Sequence, residues 1–382
     1  MAIVSLEEFL ESKGNEYAPF DPNRAKIIYQ RLSKYLKNPS KKIHIVGTNG
    51  KGSTGRFITL GLLQAGYSAL HFTSPHLFDF NERYYKNGHI VDDKTLQEAH
   101  YFLQQFDFIQ ACSYFEYATF LALVLAQDVT FLVLEAGLGG EWDSTSCLKR
   151  DISVFTPIGL DHQEILGESV EKIATTKLNS MSSVAFIAPQ SSCVIKDIAQ
   201  SIALKHKTKL YFVPNTIPET IFSYAKTHHL PEFLMYNLHT ALYVLSYLQC
   251  TIDLIHFPML DLTGRCQKIT PHITIDVGHN EQAAKEIAKV FNHKKVILVY
   301  NTYKQKDVYT ILKLLKPVIK KILIIEISNP RIIEKPKLQE VIQSLEIPSG
   351  IFSLEAMQKN EEYLVFGSFS VVKQFLEEYR AR

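Results

Sequence analysis

The segment Ile43–Ser53, I-H-I-V-G-T-N-G-K-G-S, runs an apolar β-type stretch directly into a glycine-rich loop with one lysine. The glycines Gly47, Gly50 and Gly52 permit backbone conformations that a Cβ would forbid, so successive N–H groups can face an anion. Lys51 adds a full positive charge. The predicted phosphate-binding residues are Gly47, Thr48, Asn49, Gly50, Lys51, Gly52 and Ser53.

A helix is predicted directly after this loop, because Thr54–Ala65 has apolar residues at helical spacing and Gly66 fits its end. Its N-terminus would add partial positive charge. The common nucleoside-triphosphate pattern places its first glycine five residues before the second and a hydroxyl directly after the lysine. Here Gly47 precedes Gly50 by three residues, and the hydroxyl comes at Ser53. The alternative is an ordinary glycine-rich turn, but the ordered strand, lysine, hydroxyl and helix favour a phosphate loop.

Bulk composition narrows the class of protein. A chain of 382 residues is long enough for two domains. Lys plus Arg 41 against Asp plus Glu 39 leaves a charge of +2, which gives no support for a nucleic-acid or membrane partner. The five cysteines never occur in C-x-x-C spacing, so neither a disulfide framework nor a zinc site is predicted. The acidic start M-A-I-V-S-L-E-E does not resemble a signal peptide, and we expect a soluble, cytoplasmic protein.

The alternation of short β-branched runs with helical patterns predicts an α/β fold with mainly parallel sheets. The predicted strands are Ile43–Val46, Ala69–Phe72, Thr130–Leu134, Ile152–Thr156, Val184–Ala188, Ile273–Asp276, Val296–Tyr300, Ile322–Ile327 and Tyr363–Phe366. Predicted helices include Tyr236–Cys250, Glu281–Phe291 and Asp307–Leu315. A change of composition at Phe257–Thr263 predicts a phosphate-loop domain of residues 1–257 and a smaller Rossmann-like domain of residues 264–382.

Chemically interesting residues follow the predicted strands. Gly47, Ser74, Glu135 and His162 each lie at or shortly after the carboxyl end of a strand, where open α/β sheets collect ligands. Glu135 ends the apolar strand T-F-L-V-L, and a buried carboxylate is costly unless it is paired or bound to metal. Ser74 and Glu135 therefore predict oxygen ligands for Mg²⁺.

Several ordered motifs resemble the folylpolyglutamate synthase and dihydrofolate synthase family, a branch of the ATP-dependent Mur-type ligases. Besides the loop, the motifs are F-T-S-P-H-L, F-N-E-R, F-E-Y-A-T, L-E-A-G-L-G-G, I-G-L-D-H, L-T-G-R-C-Q, I-D-V-G-H-N and G-S-F. The resemblance covers nearly the whole chain. It implies an ATP-binding N-terminal domain and a smaller C-terminal domain that close over a cleft, and the joining of L-glutamate to a folate carboxylate.

The resemblance also implies metal-site roles for two further residues. His162 would bind a second Mg²⁺; the alternative is a hydrogen-bonded loop histidine. Lys177 would be carbamylated, which gives it a carboxylate-like group; the alternative is a solvated helix lysine. The family usually continues Lys-Ala-Gly, whereas this chain has Leu178 and Asn179.

The substrate residues are implied in the same way. Asp276 and His279 would meet the nucleotide, Arg265 its phosphates and Asn237 its base, with a helix cap as the alternative for Asp276. The family more often reads Asp-Gly-Ala-His-Asn, and Val277 and Gly278 differ from it here. Dihydropteroate would be held by Ser113, Phe115, Asp143 and Ser144, although Phe115 alone would suit a core position. Arg83 would face a glutamate or pteroate carboxylate.

The glycine-rich loop and the resemblance to this ligase family together imply an ATP- and Mg²⁺-dependent ligase that works through an acyl phosphate. Its substrates would be L-glutamate and either dihydropteroate or a reduced folate, in one or both reactions. The predicted catalytic residues are Lys51, Glu135, His162 and Lys177. A peptidoglycan-type ligase would need a nucleotide-sugar domain before Gly47, where only 46 residues stand. The alternative from another class is a switch protein that hydrolyses ATP without making a bond. We expect a monomer.

Overall fold

The structure, a computed structural model, describes residues 4–14, 21–37 and 39–381. These residues divide into two compact units. The first comprises the described residues up to Leu230 together with Leu234–Leu260, and the second comprises Pro231–Phe233 and the described residues from Asp261 onward. Each unit is built on one mainly parallel sheet, so the predicted two-domain α/β class is confirmed.

The sheet of the first unit contains eight strands. They are β1 Lys41–Val46, β2 Ala69–Phe72, β3 Tyr84–Lys86, β4 His89–Ile90, β5 Phe131–Glu135, β6 Ile152–Phe155, β7 Val184–Ile187 and β8 Lys209–Phe212. Their order is β4-β3-β2-β5-β1-β6-β7-β8, and the edge pairs β2–β3 and β3–β4 are antiparallel. Because β1 pairs in parallel with both β5 and β6, the loop after β1 lies where the strand order reverses. Such a switch point is where open α/β sheets bind ligands.

Helices cover both faces of this sheet. Those up to Tyr247 are α1 Leu6–Ser12, α2 Arg24–Leu32, α3 Lys51–Gln64, α4 Asp93–Gln104, α5 Tyr114–Leu125, α6 Gln163–Leu166, α7 Val170–Leu178, α8 Val194–His206, α9 Glu219–His228 and α10 Glu232–Tyr247. Helix α3 is buried along its length from Gly52 to Leu62. A Cβ on Gly61 would lie 2.2 Å from the Leu245 side chain, so this glycine permits the close packing of α3 on α10. The helix that begins in the glycine-rich loop is therefore fixed by the core.

The second unit has six strands in the order β13-β12-β11-β14-β10-β9, all parallel except β9. The strands are β9 Gln267–Thr270, β10 Ile273–Asp276, β11 Val296–Tyr300, β12 Ile319–Ile324, β13 Ser349–Ile351 and β14 Tyr363–Phe366. The helices are α11 Glu281–Val290, α12 Val308–Leu315, α13 Lys335–Ser344 and α14 Phe369–Arg380. Short 3₁₀ segments in the two units are Ser33–Tyr35, Phe80–Arg83, Asp107–Ala111, Ser144–Ser146, Lys316–Val318 and Leu354–Ala356.

One predicted strand is displaced. The sequence placed it at Ile322–Ile327, whereas β12 spans Ile319–Ile324. The exposed residues Lys320 and Lys321 lie inside the strand, and Lys321 pairs with Ile297 of β11. Because the prediction relied on a run of apolar residues, the two adjacent lysines caused the start of the strand to be placed too late.

Among the residues that the structure describes, every helix is too short or too polar to span a membrane.

Candidate active site

The glycine-rich loop joins the buried end of β1 to the first turn of α3. Gly50 is the N-cap of α3 and has φ +81°, a left-handed conformation that favours glycine. Gly47 packs against the end of β6, where a Cβ would lie 1.9 Å from Thr156 Oγ1. Both glycines are therefore required by the local backbone.

The first half of this loop is bonded to the chain that follows β6. The backbone N–H groups of Thr48 and Asn49 both donate to the Pro157 carbonyl, at 2.9 and 3.2 Å. The Thr48 hydroxyl donates to the Gly159 carbonyl at 3.1 Å and accepts from the Gly159 N–H at 3.0 Å. The expectation that successive loop amides face an anion is thus wrong for Thr48 and Asn49, because Pro157 accepts both. The N–H groups of the first turn of α3, which lack intrahelical partners by geometry, remain at this end of the sheet.

Lys51 folds back over its own loop. Its Nζ donates to the carbonyls of Gly47 and Thr48, each at 3.3 Å. The same Nζ lies 4.0 Å from Glu135 Oε1. The ammonium group is therefore held between the loop and the carboxylate that ends β5.

Glu135 is the last residue of β5 and is 5% exposed. Its Oε2 accepts hydrogen bonds from the Thr73 hydroxyl and, at 3.3 Å, from the Ser74 N–H. In the sheet register Glu135 lies opposite Ile45 of β1. The structure thus brings Ser74, Glu135 and Lys51 together, as strand-end reasoning predicted. Thr73 was missed, although a hydroxyl directly after a strand was a usable signal.

Ser74 supplies a second oxygen beside this carboxylate. Its side chain is half-buried, and its Oγ makes no hydrogen bond to any residue that the structure describes. Hydroxyl and carboxylate oxygens are hard ligands of the kind that Mg²⁺ prefers. The pair therefore fits this ion chemically.

His162 occupies a left-handed backbone position, with φ +49°, at the start of α6. The ring Nδ1 of His162 lies 3.7 Å from Glu164 Oε1, and the backbone N–H of His162 donates to Asp161 Oδ1 at 3.0 Å. Across residues 4–14, 21–37 and 39–381, no group of three or more His, Cys, Asp or Glu side chains is arranged to hold a metal ion. The predicted ligand set includes only two such side chains, Glu135 and His162, and it stays a prediction.

Lys177 is buried under the glycine-rich loop. Only 5% of the residue is exposed, so the alternative of a solvated helix lysine is wrong. Its Nζ donates to the Gly47 carbonyl at 2.9 Å and to the Gly139 carbonyl at 3.5 Å. Burial, reinforced by the charge of Lys51, lowers the pKa of Lys177 to about 7. At neutral pH, a large fraction of this amine carries no charge.

The L-E-A-G-L-G-G loop packs directly on the lysine's own helix. A Cβ on Gly140 would lie 2.8 Å from the Lys177 carbonyl oxygen, so only glycine fits there. The Glu141 N–H donates to the Thr176 carbonyl at 3.2 Å, and Asn179 Nδ2 donates to Glu141 Oε2 at 2.8 Å. Asn179, a departure from the family pattern, therefore ties this loop to the end of α7.

Residues predicted to hold the pteroate have partners within the first unit. Ser113 is the N-cap of α5 and forms a capping box with Glu116. The Phe115 ring covers Gly137, where a Cβ would lie 2.5 Å from Cζ. Asp143 accepts from the Leu138 N–H at 2.7 Å and caps the short 3₁₀ segment that contains Ser144. Burial raises the pKa of the Asp143 carboxyl.

Arg83 is almost fully buried. Its Nε donates to His76 Nδ1 at 2.9 Å, and its guanidinium lies 5.5 Å from the ring centres of both Phe80 and Tyr114. His76, Phe80 and Tyr114 were not predicted as functional residues. His76 belongs to the motif F-T-S-P-H-L and Phe80 to F-N-E-R, but their proximity to Arg83 depends on folding.

Asn237, a residue of α10, lies over the glycine-rich loop. It is buried, and its Oδ1 would be 2.6 Å from a Cβ on Gly50. The structure therefore places Asn237 beside the predicted nucleotide loop, within the first unit.

The remaining predicted nucleotide residues belong to the second unit. Asp276 ends β10 and accepts from the N–H groups of Gly278 and Cys266 at 2.7 and 2.8 Å. Burial raises the pKa of Asp276 to about 6. The guanidinium of Arg265 lies 5.2 Å from the centre of the Phe369 ring.

His279 and the cap of α11 complete that region. His279 Nδ1 lies 3.1 Å from the Val277 carbonyl oxygen. Asn280, not Asp276, caps α11, because its Oδ1 accepts from the Ala283 N–H at 2.9 Å. The helix-cap alternative for Asp276 is therefore wrong.

Comparison with known proteins gives a consistent set of relatives, although no family model matches the chain. It is 45% identical to Helicobacter pylori folylpolyglutamate synthetase, with a TM-score of 0.81, and the match covers 99% of this chain and 98% of that one. A curated relative from Buchnera aphidicola, named dihydrofolate synthase/folylpolyglutamate synthase, is 29% identical over 380 residues, which cover 89% of this chain and 90% of the relative. The structure of Escherichia coli FolC in complex with DHPP and ADP has a TM-score of 0.85 over 100% of this chain and 99% of that one, at 23% identity, and shares the fold.

Proposed function

The chain belongs to the folylpolyglutamate synthase and dihydrofolate synthase family, and we propose that it is an ATP-dependent ligase. It would join L-glutamate to dihydropteroate and to reduced folates. The observation that carries this proposal is the assembly of Lys51, Glu135, Ser74 and Lys177 around one glycine-rich loop at the switch point of the sheet. That arrangement offers cations, N–H donors and hard oxygen ligands to a triphosphate in one place.

The reaction proceeds in two steps. A carboxylate oxygen of the folate acceptor attacks the γ-phosphorus of ATP, the bond to the β-phosphate bridge oxygen breaks, and ADP leaves. The amine of L-glutamate then attacks the acyl phosphate carbon, phosphate leaves, and the nitrogen loses a proton. No side-chain nucleophile is required. Lys51 and the first-turn amides of α3 stabilise the charge on the transferred phosphoryl group.

Mg²⁺ would be held by Ser74 Oγ and a Glu135 oxygen, with His162 as a further proposed ligand. When bound, the ion neutralises charge on the triphosphate. Glu135 Oε2 is already fixed by Thr73 and the Ser74 N–H, so the carboxylate is oriented by the protein. Its neighbour Lys51 offsets the negative charge of this buried group.

Lys177 is proposed to act as a carbamate. Its buried, largely neutral amine would form a bond to the carbon of CO₂ and release a proton. The product carries a negative charge close to the Gly47 and Gly139 carbonyls that now accept from the amine. This change would place an additional anion near Lys51.

The other predicted residues keep their proposed roles. Those for the nucleotide are Gly47, Gly50, Gly52, Ser53, Asn237, Arg265, Asp276 and His279, together with Thr48 and Asn49 as loop residues whose backbone N–H groups are bonded to Pro157. Those for the folate or pteroate are Arg83, Ser113, Phe115, Asp143 and Ser144. Residues 1–257 would bind ATP and folate, and residues 264–382 would form the C-terminal ligase domain. We also propose a monomer that acts in the cytoplasm, without nucleic-acid or membrane partners.

The testing experiment measures ADP release by the purified protein with ATP, Mg²⁺ and L-glutamate, and adds either 7,8-dihydropteroate or tetrahydrofolate. Mass spectrometry of the products identifies each glutamate added. Product with both acceptors supports both activities, and product with one acceptor restricts the proposal to that reaction. ADP release that does not depend on glutamate or on either acceptor would contradict the ligase and favour the switch protein. A Lys51→Met variant is the matched control for contaminating ATPases.

A further inference from the structure

A chain of buried polar side chains lies beneath the L-E-A-G-L-G-G loop. His44, in the middle of β1, is fully buried, and its Nε2 lies 2.7 Å from Thr145 Oγ1. Thr145 is also fully buried, and its hydroxyl donates to Asp143 Oδ1 at 2.5 Å. His44, Thr145 and Asp143 therefore form one hydrogen-bonded chain that runs from the central strand to the loop.

The direction of the hydrogen bonds follows from the number of protons. Asp143 Oδ1 accepts from both the N–H and the hydroxyl of Thr145. A hydroxyl has one hydrogen, so after donating to Asp143 it can only accept from His44. His44 must therefore carry its proton on Nε2. Burial, and secondarily the charge of Arg150, holds the pKa of His44 well below its ordinary value, so the ring is neutral and has a single tautomer.

A histidine at this position of β1 lowers the stability of the fold relative to an aliphatic residue. Its neighbours Ile43, Ile45 and Val46 are fully buried apolar residues, as expected for a central parallel strand. His44 Nδ1 has no hydrogen-bond partner among the described residues, and a buried unpaired acceptor costs free energy. An aliphatic residue would fill a strand position without that cost. The presence of the imidazole is therefore best explained by the hydrogen bond that its Nε2–H donates to Thr145 Oγ1.

The far end of the chain controls the shape of the loop. Asp143 Oδ2 accepts from the Leu138 N–H at 2.7 Å and so closes the segment between them. That segment includes Gly139, whose carbonyl accepts from Lys177, and it follows Gly137, against which Phe115 packs. Rotation of the Asp143 carboxylate would release the Leu138 N–H and move both contacts.

We propose that His44 is a positioning residue for the acceptor substrate, acting through Thr145 on Asp143 and its loop. This inference rests on the proposed function, in which Asp143 and Phe115 contact the pteroate. His44 touches no substrate. It fixes the hydroxyl of Thr145 in the orientation that holds the Asp143 carboxylate.

The kinetic test compares matched variants at both ends of the His44–Thr145 bond. His44→Gln keeps an N–H donor near the position of Nε2, whereas His44→Leu removes it. Thr145→Ser keeps the hydroxyl, whereas Thr145→Val removes it at similar volume. KM for the acceptor that wild type uses, KM for ATP and kcat are measured for each, together with the unfolding midpoint.

We expect Thr145→Val to raise the acceptor KM about tenfold, the effect of losing one hydrogen bond to a charged carboxylate, and His44→Leu to raise it about fivefold, because the bond it removes joins two neutral groups. KM for ATP should stay within about twofold, and the Gln and Ser variants should stay close to wild type. The double variant should cost no more than the larger single change, because both break the same chain. An unchanged acceptor KM with a lowered unfolding midpoint, or equal effects on the acceptor and ATP, would reduce His44 to a structural residue and overturn the proposal.

A second measurement needs no activity. ¹⁵N NMR of histidine-labelled wild type, with His44→Gln to assign the signal, reports the tautomer directly. A neutral ring protonated on Nε2 between pH 6 and 8 supports the chain, and a proton on Nδ1 or a charged ring overturns it. If wild type makes no product with either acceptor, the proposed function fails, while the NMR result still decides the hydrogen-bond chain.

Discussion

Lys177 should take up CO₂ at a pH at which ordinary lysines cannot. Burial and Lys51 lower its pKa to about 7 from an ordinary value of 10.5. At pH 8 about nine-tenths of the Lys177 amine would be neutral, against about 0.3% for an exposed lysine. Because only the neutral amine reacts with CO₂, Lys177 has about a 300-fold advantage in reactive amine over an ordinary lysine at that pH.

The geometry agrees with this chemistry. The neutral amine has two N–H bonds, and Lys177 Nζ has two carbonyl acceptors, those of Gly47 and Gly139. One lone pair then remains on the nitrogen. The charge of Asp161, and to a smaller extent that of Asp143, opposes the shift, so the pKa of Lys177 stays near neutrality and falls no further.

The assay is ¹³C NMR of the protein in ¹³C-bicarbonate. We expect a Lys177 carbamate resonance at pH 8, beside that of the N-terminal amine, whose ordinary pKa of about 8 also permits reaction with CO₂; the Lys177 resonance should weaken as the pH falls through about 7. Lys177→Met should remove it. Lys172→Met is the matched control, because Lys172 is an exposed lysine of the same helix and its loss should leave the resonance unchanged. Carbamate spectra of wild type and Lys177→Met that are identical at pH 8 would refute the reasoning.

Three further predictions concern other parts of the molecule. Glu135→Gln should abolish product formation but leave the unfolding midpoint within a few degrees of wild type, because the side chain keeps its shape and loses only the charge beside Lys51. An active variant would contradict the assignment of Glu135 as a metal ligand. Gly50→Ala should weaken binding of a non-hydrolysable ATP analogue, measured by calorimetry, at least about tenfold, because a φ of +81° is strained for alanine and the added Cβ would lie 2.6 Å from Asn237 Oδ1. Gly66→Ala is the control, because Gly66 has a similar φ of +83° but nothing within 4 Å of an added Cβ. This variant has the backbone strain alone and should bind the analogue normally. Asp276 has a folded pKa of about 6, above its unfolded value of 3.8, so the stability it contributes is complete below pH 3.8 and is lost as pH rises through 6. Urea unfolding at pH 4 and pH 7 should show this loss, at most about 3 kcal/mol, and Asp276→Asn should remove it; an identical pH dependence in the variant would contradict the assignment.

The elements of this fold that can be predicted from the sequence are those specified by patterns of neighbouring residues. An apolar run that ends at Gly47, followed by a segment with apolar residues at helical spacing, specifies a strand, a loop and a helix, and β1 and α3 lie there. Glu135 stands out because a carboxylate ends an apolar strand, and the parallel register then brings it to the same edge of the sheet. Periodicity and strand-end position were sufficient for these features.

What the sequence could not predict depends on contacts between distant segments. The bond between Asn179 and Glu141 joins residues 38 positions apart, and the bond between His44 and Thr145 spans 101. Neither pair has a recognisable spacing, and a histidine in an apolar strand does not reveal which atom it will meet. Edge strands such as β8 and β13 were also missed, because half-exposed strands lack a long apolar run.

The bond pattern around Pro157 has a consequence for the thermodynamics of nucleotide binding. Its carbonyl accepts hydrogen bonds from the N–H groups of both Thr48 and Asn49 and so fixes the backbone of these two residues. The conformational entropy of these two residues is therefore lost during folding and is not lost again when a ligand arrives. Fixing a residue costs about 1–2 kcal/mol, so a disordered loop would bind the same nucleotide more weakly by about 2–4 kcal/mol. A carbonyl group that bonds to the protein's own backbone thus lowers the entropic cost of binding a nucleotide at this loop.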